Sequence, residues 1–419
     1  MKALHPYVQL QVGPPPFGTP ITTIPPEYLI EYRYTSKIGL STVEVSLVDP
    51  TYEEIENLFI NSDRNQEPLF FRHGYLDQFQ QVSSNWIQAV LVSYSPNPTQ
   101  RGMEITGTFL VKNSNMPVDV STRTYSGKIS DVVRTIAAEL DLDHVVEDTP
   151  EEINRNLPAD LAEGPGPRTW RTNGKSLSSF LDYLSELAGG GKAEWEWFVL
   201  GGRKLNRKPT LHFHSRGHFS LQRKTHEFTY LAGETDTVLE FRPNFSGRLL
   251  ANIANKNLVM RQFDPVSKLY LTKAINRETI DTSDDIGEGD PATEASNKEE
   301  GKPKEDVSKA GGYFNAQEKV PGEAEARAVS LWKHLDQASY TATLTLVGLP
   351  TTVDTEADDI AKISVLLPKK TNFFGNFEKH WSSGEYQIRE AVHTIGSSYT
   401  ITCQLMRNKA KLPRKFLTL

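Results

Sequence analysis

Residues 384–408 read GEYQIREAVHTIGSSYTITCQLMRN. Tyr399, Ile401, Cys403 and Leu405 alternate there with Thr400, Thr402 and Gln404. A period of two puts the apolar set on one strand face and the polar set on the other. That is the pattern of antiparallel sheets with one buried and one wetter face. YTATLTLV at 340–347 repeats it, with Ala342, Leu344 and Leu346 against threonines. WIQAVLVSYSPNPTQRGMEITGTFLVK at 86–112 echoes the same strand, turn, strand and basic residue. The echo reads either as an internal repeat or as the ordinary likeness of hairpins.

Working outward, Tyr28, Ile30, Tyr32 and Tyr34 share one face of a strand, and Val43, Val45 and Leu47 share another. After Asp49-Pro50 a helix is expected, capped by Thr51, with Tyr52, Ile55, Leu58 and Phe59 as its apolar stripe. Trp86–Tyr94 and Met103–Val111 read as strands joined by SPNPTQRG at 95–102. The first twenty-six residues hold seven prolines and read as an extended arm. In the middle, Ser130 opens a helix carrying Val132, Val133, Ile136 and Leu140. Ser176 opens another, with Leu177, Phe180, Leu181, Leu184 and Leu187, closed by glycines at 189–191. AEWEWFVL (193–200) and TLHFHS (210–215) follow as strands, and a last helix is expected near 323–337.

The fold class expected is α+β, mostly β. Residues 1–27 form an arm, 28–118 a first β domain and 119–216 a small α+β insert. Residues 217–275 with 315–406 form a second β domain, interrupted by an acidic linker at 276–314, and 407–419 form a basic tail.

The chain has 419 residues, enough for several domains, and a net charge of −7. No window approaches the roughly 18 apolar residues of a membrane helix, and the start is unlike a secretory signal. The lone Cys403 rules out an internal disulfide and a Cys-rich metal cluster held by this chain. Glu278 to Asp306 carries eleven acids against three lysines, with two large apolar residues, and reads as solvated loop or linker. Arg203 to Lys224 and the tail after Met406 carry only basic charge. Aromatics are not interleaved with it as in nucleic-acid platforms, so an acidic protein neighbour is the better expectation.

Catalytic motifs are missing: no P-loop, no HExxH, no GxSxG and no GxGxxG. Cys403 falls on an apolar strand face, which favours a buried structural thiol over a nucleophile. His212 and His214 share a strand face, with His218 nearby, and two imidazoles can bind a metal. The surrounding Lys and Arg argue instead for solvent-facing histidines. Glu194 and Glu196 share a face opposite Trp195 and Trp197, and paired carboxylates, or Asp141 with Asp143, could cleave glycosidic bonds. A solvated Glu face behind a packed Trp face explains the pattern without chemistry. The expectation is a chain that is not an enzyme, with no catalytic, cofactor or metal residues.

TYSGKISDVVRTIAAELDL (124–142), RTNGKSLSSFLDYLSELAGG (171–190) and residues 384–408, in that order between β regions, resemble the central baseplate hub proteins of contractile-tailed bacteriophages, including late control protein D. The resemblance implies two tube-like antiparallel barrels per chain and a homotrimer, a pseudo-sixfold ring joining a sixfold tail tube to a threefold central spike. It further implies contacts with tube or tube-initiator proteins and with baseplate wedge or other hub-associated proteins. DNA would pass through the lumen without specific binding, and nothing would insert into a membrane. Such a protein is made in the bacterial cytoplasm and resides in the virion baseplate. The alternatives are a spike-associated cell-wall hydrolase, a host-surface carbohydrate binder, and the hub of a tailocin or type VI secretion system.

Overall fold

The computed structural model describes residues 5–12, 22–24, 27–50, 59–60, 68–76, 81–111, 116, 120–149, 169–189, 194–201, 208–216, 223–231, 237–246, 257–264, 269–275, 310–316, 327, 329–330, 340–371 and 377–407. Its first region contains β1 (His5–Val12), β2 (Thr22–Ile24), β3 (Leu29–Lys37), β4 (Thr42–Asp49), β5 (Leu69–Leu76), β6 (Gln81–Ser83), β7 (Ile87–Thr99) and β8 (Gly102–Val111). Next come β9 (Thr124–Ser126), α1 (Ile129–Glu139), β10 (Asp143–Val146), β11 (Thr169–Arg171), α2 (Leu177–Ala188), β12 (Trp195–Leu200) and β13 (Thr210–Ser215). The last region holds β14 (Thr225–Tyr230), β15 (Val238–Phe245), β16 (Asn257–Asp264), β17 (Leu269–Ile275), β18 (Ala310–Ala316) and β19 (Tyr340–Val347). It ends with β20 (Ile360–Thr371), β21 (Phe377–Lys379), β22 (Gly384–Ile395) and β23 (Tyr399–Met406).

The alternation seen in the sequence becomes burial. Tyr399, Ile401, Cys403 and Leu405 are buried, as are Ala342, Leu344 and Leu346 on the neighbouring β19. Tyr32, Tyr34, Val43, Val45 and Leu47 do the same on β3 and β4. These faces share one apolar core that runs through both β regions and reaches α1 and α2.

The two β regions have the same strand order. In the first it runs β3-β4-β8-β7-β5, and in the second β15-β19-β23-β22-β20. The echo between 86–112 and 384–408 is therefore an internal repeat, with the β7–β8 hairpin matching β22–β23. The regions do not stand apart. β3 hydrogen-bonds β22 from Tyr32 opposite Ile395 to Lys37 opposite Glu390, making a single mostly antiparallel sheet of fifteen strands. Among the described residues no closed barrel is seen; the halves expected as separate tubes are stitched edge to edge.

Several local expectations change. Residues 1–27, read as an arm, contribute β1 and β2; β1 pairs with β5 through its whole length, Tyr7, Val8 and Leu10 are buried, and Val8 and Leu10 belong to the shared core. The prolines of 95–102 do not break β7, which runs to Thr99 and turns at 100–101. They survive there because Pro96 and Pro98 aim their nitrogens at the edge away from β8, which has no strand partner among the described residues, so a missing N–H costs no ladder bond. Residues 310–314, assigned to the acidic linker, belong to β18, which with β16 and β17 forms a separate three-stranded sheet and not part of the second β domain's main sheet. The helix stripe at 51–58 lies outside the described residues, though Phe59 is buried; of the helix near 323–337, Arg327, Val329 and Ser330 are described as helical. The acidic segment 278–306 also lies outside them.

In the insert, α1 begins at Ile129, one residue before the expected Ser130, whose buried side chain meets Thr149 Oγ1 at 3.4 Å. α2 is capped as expected, the Ser179 N–H donating to Ser176 Oγ at 3.3 Å. Both helices bury their apolar stripes, next to the three-stranded sheet β10-β13-β12.

Candidate assembly surfaces

Two features of the fold tie its parts together, and each rests on polar groups buried at a junction. The first lies where β3 meets β22. Tyr32, Tyr34, His73, His393 and Tyr399 form a ring cluster there, with His73 and His393 centroids 4.9 Å apart. His393 donates from Nε2 to the Thr355 carbonyl at 2.7 Å and accepts at Nδ1 from the Tyr399 hydroxyl at 2.8 Å, so its neutral form is fully bonded. Burial lowers the His393 pKa to about 4, and burial followed by repulsion from His393 holds His73 well below the usual value. The Tyr32 hydroxyl meets His73 Nδ1 at 3.2 Å, and burial pushes that phenol up.

The second is an ion network that fastens the insert to the second β region. Arg216 follows β13 and is buried; its Nη1 meets Glu194 at 3.0 Å and its Nη2 meets Glu196 Oε1 at 2.5 Å. Arg389 Nη1 reaches the same Glu196 oxygen from β22. Gln387 Nε2 donates both to Glu196 Oε2 at 2.9 Å and to Asp358 Oδ1 at 3.0 Å. Arg223 closes the group, pairing with Asp358 and donating to its carbonyl at 2.9 Å and to the Arg216 carbonyl at 2.8 Å. Three arginines thus face three carboxylates. Burial by itself would raise the Glu196 pKa, but the guanidiniums of Arg216 and Arg389 outweigh it and hold the carboxyl well below the usual range.

This corrects two expectations. Glu194 and Glu196 are not a solvated face: both are 5% exposed, and their charges are consumed by arginines. β12 is buried on both faces, with Trp197 Nε1 donating to Asp182 at 2.7 Å. His212 and His214 are buried too, at 2% and 0%, the first stacked on Phe198 and the second 3.6 Å from Asp358. The face they share is covered, Phe198 packing on both rings and Asp358 reaching His214. His218 lies outside the described residues. Among the described residues, no three His, Cys, Asp or Glu side chains converge as a metal site, and no helix is long and apolar enough to cross a membrane.

Asp141 pairs with Lys208 beside the exposed Asp143. Cys403 is buried and burial pushes its thiol up to about 12. The basic stretch 203–224 is not a free basic face where it is described: Lys208, Arg216, Arg223 and Lys224 all pair with carboxylates of this chain. The tail's first residue, Arg407, belongs to the fold. It is buried 4.4 Å over the Tyr386 ring and donates to the Ser383 carbonyl at 3.0 Å.

Arg389, Gln387 and Asp358 were not singled out from the sequence. Arg389 is the extra residue of a β-bulge between Ile388 and Glu390, and the bulge turns it toward the insert. A bulge leaves no mark in an alternating pattern beyond one residue out of phase.

In comparisons with solved structures, the fold is similar to the tail protein from Neisseria meningitidis MC58, at 8% identity and a TM-score of 0.54, over 96% of this chain and 97% of that one. It is similar to the 43 kDa tail protein of prophage MuSo2 from Shewanella oneidensis, at 12% identity and a TM-score of 0.50, over 97% and 100%. It is also similar to a chain of the Francisella PdpA–VgrG complex, at 9% identity and a TM-score of 0.51, covering 99% of this chain and 60% of that longer one. At these identities the likeness is one of fold. No protein-family model and no curated protein sequence matches the chain.

Proposed function

We propose that this chain is the structural hub of a contractile tail, a homotrimeric adaptor between a sixfold tail tube and a threefold central spike. The observation that carries the reading is the duplication inside one continuous sheet: β3-β4-β8-β7-β5 recurs as β15-β19-β23-β22-β20. Three copies of a chain with two equivalent halves offer six similar positions on one side and threefold symmetry on the other, which reconciles the two partners. Near full-length fold likeness to two tail proteins, one of them from a prophage, supports the same reading.

In this reading the work is assembly and transmission of force, without turnover. The partners are the spike, tube or tube-initiator proteins, and wedge or other hub-associated proteins, with DNA passing through the lumen unbound. The site of action is the virion baseplate. Burial of Glu194 and Glu196 in ion pairs weighs against the cell-wall hydrolase. The likeness to the chain of the PdpA–VgrG complex supports a second reading, the hub of a related injection system; a gene neighbourhood without capsid genes would favour it.

The test is the mass of the purified protein by light scattering, with and without the spike encoded beside it. A trimer, alone or with the spike, is the expected result. A monomer that ignores the spike refutes the proposal.

A further inference from the structure

The second half repeats the first down to its irregularities. β3 is bulged between Leu29 and Glu31, and β15 between Val238 and Glu240. Across that offset LIEYRY matches VLEFRP. The Arg33–Glu31 ion pair at 2.8 Å has its counterpart in Arg242–Glu240 at 2.5 Å, and the exposed Ile30 in the exposed Leu239. β7 is bulged between Leu91 and Ser93, and β22 between Ile388 and Glu390.

β22 divides one edge between two partners. Residues before its bulge bond β20, and residues after it bond β3. β7 follows the same plan halfway: Ile87–Ala89 bond β5. Its half after the bulge, Ser93–Thr99, has β8 as its one strand partner among the described residues, and Ser93 and Ser95 to Pro98 are exposed. β15, the counterpart of β3, bonds β19 alone among them, and Arg242, Pro243 and Asn244 are exposed. The chain contains one completed joint of this kind and the two open sides of another.

We propose that these sides meet between copies of the chain, the free half of β7 against β15 of the next copy, with Ser95 opposite Asn244. The register is that of β22 on β3. Val392 opposite Thr35 becomes Ser95 opposite Asn244, His393 opposite Tyr34 becomes Pro96 opposite Pro243, and Ile395 opposite Tyr32 becomes Pro98 opposite Phe241. The contact is head to tail, so every copy uses both edges, and three copies related by a third of a turn close a ring. The inference rests on the hub reading and gives its ring named residues.

Proline sets the character of the joint. The Ile38 N–H bonds the Arg389 carbonyl at 3.0 Å, which fixes the phase of the internal ladder. In that phase Ala391–Ser36, His393–Tyr34 and Ile395–Tyr32 exchange two backbone bonds each. Their counterparts between copies, Tyr94–Phe245, Pro96–Pro243 and Pro98–Phe241, need six N–H donors and have three, from Tyr94, Phe245 and Phe241, because Pro96, Pro98 and Pro243 have none. A lone copy therefore presents two blunted edges, and side-chain contacts add to the remaining backbone bonds in holding the joint between copies.

The test uses Ser95→Cys and Asn244→Cys in the full chain. Their pair does not exchange backbone bonds, so its Cα atoms lie about 4.5 Å apart, within disulfide reach. Cys403 is buried, and Thr35→Cys with Val392→Cys serves as the intrachain control for oxidation. Under conditions where light scattering reads a trimer, the double variant should become covalent trimer on a non-reducing denaturing gel. An equimolar mixture of the single variants should stop at dimer, and each single variant alone should remain monomeric. A trimer by light scattering that does not cross-link, or single variants that cross-link by themselves, overturns this joint and leaves the hub reading standing. A monomeric mass with and without the spike overturns both.

Discussion

Glu196→Gln should loosen the insert from the second β region by about 3 kcal/mol, the low end of what breaking a buried ion pair costs. The substitution keeps shape and removes charge. Arg216 would retain Glu194 at 3.0 Å, while Arg389 would lose its carboxylate. The new amide would also oppose the Gln387 Nε2 that now donates at 2.9 Å to Glu196. Turning Gln387 over to accept would break its 3.0 Å bond to Asp358. Hydrogen exchange in β12 and β13 reads the effect directly, because about 1.4 kcal/mol is a tenfold change in an opening equilibrium. Protection there should fall about a hundredfold, with amides of β4 and β8 little changed. A fall of less than threefold would mean that the network carries no net charge coupling, and the reasoning would be wrong. Because the Glu196 pKa is depressed, its contribution is complete above the ordinary carboxylate range and fades only as pH falls through the lowered value.

The buried His393, with its pKa near 4, predicts a second loss of stability on acidification, in a higher pH window. Between pH 6.5 and 4 the unfolded chain binds a proton that the folded chain refuses, so stability falls on acidification, by about 3 kcal/mol once pH is below 4. Denaturant midpoints at pH 7 and 5 should differ, and His393→Gln should flatten the difference; an unchanged slope counts against it. Gly348→Ala places a methyl on the Tyr399 ring and should cost about 1–3 kcal/mol, read as a lower melting temperature; no shift would show that the ring can move aside. Cys403 should react with thiol reagents only as fast as the sheet opens, so labelling faster than global exchange would contradict its burial.

Much of the fold was legible because its signals are local. The period-two runs at 340–347 and 399–406 and the capped stripe of 177–188 each became the element they described. The hairpin echo was visible as well, and strand order turned it into a repeat. The failures share a cause. Whether the alternate face of β12 meets water depends on what packs beyond it, and Arg216 and Arg389 approach from elements far along the chain. Proline in β1 and β7 suggested an arm and a loop because sequence shows the missing N–H and not the direction it would have pointed. A cut after Met406, which removes Arg407, would injure the core as well as the tail.

The two halves differ most at one corner. Between β3 and β4 the chain turns in four residues, 38–41, and that turn is braced by the insert: the Val199 N–H bonds the Gly39 carbonyl at 3.0 Å, and Ser41 Oγ bonds the Val199 carbonyl at 3.2 Å. The corresponding corner between β15 and β19 takes in residues 246–339, with the small sheet β16-β17-β18 and the acidic segment. A duplicated chain gains its freedom there. The strands common to both halves must stay alike to make interchangeable neighbours, whereas a corner outside those strands can lengthen without disturbing them. In a ring of three copies every second position would carry this outgrowth. Its presence or absence would label alternate positions, so that a threefold partner finds three addresses on a frame that a sixfold partner meets as six equal ones.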